Sequence, residues 1–381
     1  MKAEVRSGID RMETAEDLLR SGRIGLMTNQ TGMDHFYRSS IDLLHERYHL
    51  TALFAVEHGI RGDLQAGAAV TAYRDGKTGL TVWPVYGGNH RLTAEMLAEF
   101  DVFCFDLQDV GLRFYTYLYA LSLAMEECCR AGKPVVIFDR LNPLGGEKVQ
   151  GTVLNPAFAS YVGMYPLPTR YGLTIGEYAL WVKRHLGLKN LELRVVPLSG
   201  WRRSMMPWET DIPWAAPSPN CPAWHSAFAY AGACIFEGTN VSEGRGTTLP
   251  FEYIGAPWLD AEALADRLSK KRMPGIHFRP VWFTPTFSKY AGERCAGVQM
   301  HLPEPENADP VAGALTLLDE IRDMAPGKLK WIREETGRYV IDLLLGTDSY
   351  RRGQDGPGLL AESEAARARF QEERKAFFLY E

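Results

Sequence analysis

The sequence predicts an α/β protein, with a parallel sheet over residues 1–150 and a less regular α+β region over residues 151–381. Three observations predict it. Short apolar runs recur at 24–29 (IGLMTN), 50–56 (LTALFAV), 101–107 (DVFCFDL) and 134–138 (PVVIF), each of a length that suits a buried strand. Helical stretches separate them, so successive strands read as βαβ units with right-handed crossovers. Each run also ends in polar side chains: Asn29 and Gln30; Glu57 and His58; Asp106, Gln108 and Asp109; Asp139 and Arg140. In open parallel sheets ligands bind outside the carboxyl ends of the strands, so the four ends are expected to share one functional edge.

Taken in order, the first strand turns at Gln30-Thr31-Gly32 into a helix over 40–47. Residues 50–62 (LTALFAVEHGIRG) change most abruptly: an apolar strand runs out into Glu57, His58, Gly59, Arg61 and Gly62. A short piece at 81–85 ends in Tyr86-Gly87-Gly88, and 93–100 is helical. Thr116 is expected to N-cap a long helix that Gly132 closes. Beyond residue 150 the βαβ order fades. Thr174 with Glu177 predicts a capping box for a helix over 175–186, stopped by Gly187. Pro207, Pro213, Pro217, Pro219 and Pro222 keep 207–222 irregular. Asp260 and the Asp309-Pro310 pair open two further helices, strand-like runs occur at 194–197, 281–283 and 297–302, and a helix near 360–377 closes the chain.

Composition excludes several classes of function. With 381 residues, 46% hydrophobic and 23% charged, the chain can bury two proper cores and carries no low-complexity tract. A net charge of −5 with scattered basic residues argues against a nucleic-acid partner. No stretch approaches the roughly 18 apolar residues of a membrane span, so no membrane insertion is expected. The N-terminus lacks an apolar leader and a small-residue cleavage site, which predicts a cytoplasmic protein. Six cysteines without CxxC spacing read as reduced thiols. No P-loop, GxGxxG, HExxH or GxSxG motif is present and His58, His90 and His225 stand apart, so neither a cofactor nor a metal is expected.

What remains is a set of carboxylates and amides among aromatic rings and arginines. Residues 106–116 (DLQDVGLRFYT) offer Asp106, Gln108, Asp109, Arg113 and Tyr115; a second polar loop, 236–247, offers Glu237, Asn240, Ser242, Glu243 and Arg245. Acids and amides bind hydroxyls while rings stack on apolar sugar faces, so the pattern points to a small carbohydrate. Glycosidases pair one carboxylic acid at the leaving oxygen with a second group on the other face of the ring. Glu57, at the mouth of a buried strand, suits the acid, and Arg61, Arg113 and Arg245 suit a sugar that itself bears a carboxylate. His58 reads as a loop-orienting neighbour of the sugar. Structural readings stand beside these: Asp109 and Arg113 could simply pair, Asp139-Arg140 reads as a loop tie, and residues 243–246 could form an anion nest.

The segments EHGIRG (57–62), DLQDVGLRFYTY (106–117), FDRLNPLGG (138–146), RYGLTIGE (170–177), PSPNCP (217–222), FEGTNVSEGRGTTLPFEYIGAPW (236–258) and DLLLGTD (342–348) resemble the exo-β-N-acetylmuramidase family. These are glycoside hydrolases formerly catalogued as a domain of unknown function. Cys221 and Leu141 stand where the family more often has an apolar residue and a proline. The resemblance implies a Rossmann-like N-terminal domain, a smaller C-terminal domain and an active-site cleft between them. It also implies release of N-acetylmuramic acid from non-reducing ends of peptidoglycan fragments, with the glutamate of EHGIRG, here Glu57, as the leading catalytic candidate. Asp109, Glu243, Asp106 or the substrate's own 2-acetamido oxygen are open as the second catalytic group. Asn29, Asn220 of PSPNCP, Glu237, Asn240 and Arg245 join His58, Arg61, Asp106, Gln108, Arg113 and Tyr115 as expected sugar contacts. Characterised relatives are exported, so a chain without a leader is expected to turn over imported fragments. Two alternatives are a non-catalytic sugar-binding protein using the same cleft and a sugar-nucleotide enzyme on the same sheet.

Overall fold

The computed structural model describes residues 2–57, 59–62, 71–85 and 90–381. Among the described residues, six parallel strands form the main sheet: β1 (Ile24–Thr28), β2 (Leu50–Ala55), β3 (Thr81–Pro84), β4 (Val102–Asp106), β5 (Val135–Phe138) and β6 (Leu193–Val196). Their order is β3-β2-β1-β4-β5-β6, and the two-residue strand Tyr73–Arg74 pairs antiparallel outside β3. The chain therefore builds outward from β1 in one direction, then returns to build from its other side. Met27 sits between Phe54 of β2 and Phe105 of β4 in register, which marks the switch point where such sheets open a crevice at their carboxyl edge.

Strand alternation explains how both faces are filled. Phe54, Phe103, Phe105, Val135 and Ile137 pack into one core with the helices Tyr117–Arg130 and Ile175–His185. Leu53, Val102, Cys104, Val136 and Phe138 pack into another with Ser40–Arg47 and the N-terminal turns. Burial on both faces is why these strands read as unbroken apolar runs. β6 comes from beyond residue 150 and adds to the same sheet, with Phe138 opposite Val196. The preceding helix, opened by the Thr174 capping box as expected, is the crossover that delivers it.

The remaining chain carries its own core. Tyr253–Ala256 (β7), His277–Phe283 (β8) and Cys295–His301 (β9) form an antiparallel sheet with β9 in the centre. Helices Ala261–Ser269 and Pro310–Met324 are capped by Asp260 and Asp309, as the sequence predicts. Helix Trp224–Ala233 packs closely on Pro310–Met324 because Gly232 has no side chain: a Cβ there would lie 2.1 Å from the Pro310 carbonyl oxygen. The closing helix expected at 360–377 is divided at Ser363 into Gly356–Glu362 and Glu364–Glu373, followed by the 3-10 turn Arg374–Phe377. No described helix is long and apolar enough to cross a membrane.

Candidate active site

Glu57 follows β2 and the buried Val56, where the strand leaves the sheet edge. The turn after it needs its glycines. Gly59 and Gly62 adopt φ of 73° and 71°, and a Cβ on Gly62 would lie 2.2 Å from the Gln30 side chain. Across the switch point, the segment after β4 brings Phe114, Tyr115 and Thr116 to the same place. Thr116 does not cap the following helix with its side chain; its hydroxyl donates instead to Glu57 Oε2 at 2.9 Å. The bond to Glu57 thus replaces the side-chain cap expected from its position.

The far wall comes from the second half of the chain. Glu57, His90, Tyr115, Thr116 and Tyr161 share a cavity of about 310 Å³ with Ser218, Cys221, Tyr230, Glu237, Arg245 and Phe251. That volume is in the range of ligand pockets and suits one or two sugar rings. Its lining is strongly aromatic: Tyr230 meets Phe114 edge-on at 5.0 Å and Phe251 at a tilt at 4.5 Å, while His90 stacks on Tyr161 at 3.7 Å. Burial pulls the His90 imidazole below its ordinary range, against the opposing pull of the Val85 main chain and the Glu57 carboxylate.

Charge is concentrated in the part of the lining contributed by residues 237–245. Arg245 Nη2 pairs with Glu237 at 2.6 Å and its Nε with Glu243 at 3.3 Å, and Lys289 Nζ holds the other oxygen of Glu243 at 2.9 Å. Burial raises the Glu237 carboxyl above its usual range, opposed chiefly by Arg245 and reinforced by Glu243. For Arg245 burial works against the charge, yet the carboxylates of Glu237 and Glu243 hold the guanidinium above its ordinary value. Two cations and two carboxylates leave this wall neutral when all are ionised.

Of the residues singled out from the sequence, Glu57, Tyr115, Glu237 and Arg245 border this cavity, and Glu243 stands directly behind Arg245. His58 lies outside the described residues. The rest serve other partners. Asp106 is fully buried and gripped by Arg140 at 2.6 and 2.9 Å. Asp109 accepts from Gly111 N at 2.6 Å and from the Tyr171 hydroxyl, and burial lifts its carboxyl to about 6 against those two donors. Arg113 makes no ion pair among the described residues; it is fully buried and donates to the carbonyls of Thr152, Leu167 and Leu344. Gln108 donates to the carbonyls of Asp109 and Leu141. Asn29 donates to Tyr117, whose hydroxyl donates to Pro217 O, tying the proline-rich segment to the sheet edge. Asn220 turns within that segment, Arg61 pairs with Asp75 at 2.5 Å, and Asn240 bridges the main chain of Lys328 and Lys330.

Sequence reasoning missed Thr116 as a partner of Glu57, and His90, Tyr161, Phe114, Tyr230 and Phe251 as lining. Its usable signal was the aromatic density of FYTY (114–117) beside the acidic strand end. Among the described residues no cluster of three or more His, Cys, Asp or Glu could hold a metal ion.

Residues 24–225 match the family model described as exo-beta-N-acetylmuramidase NamZ, N-terminal, and residues 228–380 match its C-terminal counterpart. The chain is 40% identical over 386 residues to the peptidoglycan beta-N-acetylmuramidase NamZ of Bacillus subtilis (strain 168), covering 100% of this chain and 92% of that protein. Two crystal structures of DUF1343 family proteins from Bacteroides fragilis NCTC 9343 superpose over 99% of both chains. Their TM-scores are 0.91 at 33% identity and 0.77 at 28% identity. The chain therefore belongs to the exo-β-N-acetylmuramidase family of glycoside hydrolases.

Proposed function

We propose that this enzyme releases N-acetylmuramic acid from the non-reducing end of peptidoglycan fragments, with Glu57 as proton donor to the glycosidic oxygen. The observation that carries the reading is that Glu57 and the Glu237–Arg245 pair border one sugar-sized cavity from opposite halves of the chain. Glu57 Oε2 is held by Thr116, which restrains the carboxyl at the edge of the cavity. Glu237 is the second carboxyl at the cavity and takes the role opposite the acid. Of the three arginines considered for the lactyl carboxylate, Arg245 borders the cavity and is assigned to it.

Charge balance supports this division of labour. The opposite wall is neutral with all four groups ionised, so a bound lactyl carboxylate makes it net negative. An excess of fixed negative charge beside the anomeric carbon stabilises the oxocarbenium-like transition state more than the neutral ground state. Incubation with the disaccharide of N-acetylmuramic acid and N-acetylglucosamine tests the reading by its products. Free monosaccharides in equal amounts are expected; tight binding with no product would favour a sugar-binding protein that uses the same cavity.

A further inference from the structure

A second cavity, of about 290 Å³, lies on the same sheet edge but on the other side of the proline-rich segment. Its floor is Gln108, from the segment after β4, and Arg140, from the end of β5; its walls are the rings of Trp208, Trp214, Trp224 and Tyr37. The segment 214–217 separates it from the catalytic cavity. That partition is held by Gln30 Nε2 donating to Ala216 O at 2.6 Å and by Tyr117 donating to Pro217 O at 2.7 Å.

We propose that this cavity is a second carbohydrate site, which binds an uncharged pyranose of a glycan through its ring face and a neighbouring pair of polar substituents. The floor offers the matching donor and acceptor. Arg140 uses Nε and Nη2 on Asp106 and on Met33 O, which leaves Nη1 without an acceptor among the described residues. Gln108 uses its amide nitrogen on two carbonyls, which leaves Oε1 without a donor among the described residues. Both side chains are more than nine-tenths buried, with residue exposures of 5% and 7%, so their positions are set before a ligand arrives. A guanidinium N–H and an amide oxygen in one lining read one acceptor and one donor, as adjacent sugar hydroxyl or acetamido groups present.

The charge of the site is balanced and calls for no charged ligand: Asp106 compensates Arg140, and the lining carries Lys2 as well as Asp211. The indoles supply the apolar part: Trp208 and Trp224 lie 4.5 Å apart at 43°, and Trp214 is fixed by its Nε1 donating to Cys221 O at 3.4 Å. Few polar groups on an aromatic enclosure is the common pattern of a small-molecule site. This site shares no lining residue with the catalytic cavity, and the Cys221 carbonyl that holds Trp214 belongs to a residue bordering that cavity.

The test uses the β-1,4-linked trimer of N-acetylglucosamine, which contains no muramic acid, titrated by calorimetry into the full chain. Binding is expected in the wild type, and also with saturating N-acetylmuramic acid present to fill the catalytic cavity, with affinity at least tenfold weaker in Trp214→Ala and about threefold weaker in Tyr37→Ala. Tyr37 is 72% exposed, so its removal leaves folding intact and keeps the test decisive if Trp214→Ala does not fold. No binding to the wild type, wild-type affinity in both aromatic variants, or displacement of the trimer by N-acetylmuramic acid or by inorganic phosphate would each overturn the proposal.

Discussion

The Thr116 hydroxyl donates a 2.9 Å hydrogen bond to Glu57, joining the ends of two strands that lie on either side of β1. A carboxyl that must present one oxygen to a glycosidic bond needs its other oxygen restrained. Here the restraint comes from the residue that begins the helix Tyr117–Arg130, an element anchored in the main core.

Thr116→Val keeps the shape of the side chain and removes the donor. A hydrogen bond to a charged group contributes about 1.5–3 kcal/mol, so kcat should fall roughly 10–100-fold with little change in KM. Thr116→Ser should recover most of the loss. Steady-state kinetics on the muramyl disaccharide checks both.

Arg245→Met should act mainly on binding. Loss of a charge-assisted contact to the lactyl carboxylate raises KM about 10–100-fold. A comparison substrate without the lactyl group should show little of that increase. Equal effects on both substrates would separate Arg245 from the carboxylate.

Glu243 is 2% exposed and lies between Arg245 and Lys289, so its role is to hold the wall together. Glu243→Gln leaves a partly buried ammonium without its carboxylate and should cost about 3–5 kcal/mol in urea unfolding. Adding Lys289→Met should return part of that stability, since the unmatched charge is then gone. A double variant no better than the single one would contradict the coupling.

Asp139 predicts a pH dependence of stability. Burial raises its carboxyl from an ordinary 3.8 to about 7, against donors from Tyr380, Gly176 and Thr174. The folded state then holds the proton more tightly than the unfolded chain. This contribution is complete below about pH 4 and is lost as pH rises through about 7. Asp139→Asn resembles the protonated acid, so it should flatten the decline in unfolding free energy across that window.

The sheet was legible because strands buried on both faces leave unbroken apolar runs, and Glu57 was legible because one of those runs turns polar within a single residue. β6 was harder to place. Residues 194–197 read as a strand, but nothing local says which sheet a four-residue segment joins; its partner Phe138 lies far away in sequence. The richest polar segment, 106–113, misled for a different reason. Asp106, Asp109 and Arg113 are buried and answer to Arg140, Tyr171 and distant carbonyls, and a sequence does not distinguish a polar group facing a cavity from one satisfying the interior. The second loop had the opposite outcome: Glu237 borders the cavity and Glu243 supports it, although the two look alike in sequence. Thr116 and the His90–Tyr161 stack depend on chain crossings that residue spacing does not encode.

The most direct test of the proposed chemistry is single-turnover cleavage of the muramyl disaccharide by Glu57→Gln. The amide can accept the Thr116 hydrogen bond but has no proton for the leaving oxygen. General-acid catalysis contributes about 10²–10⁴-fold, so the rate should drop by that factor while the circular dichroism spectrum and substrate binding are kept. Cleavage at a near-wild-type rate would contradict the assignment of Glu57 as proton donor.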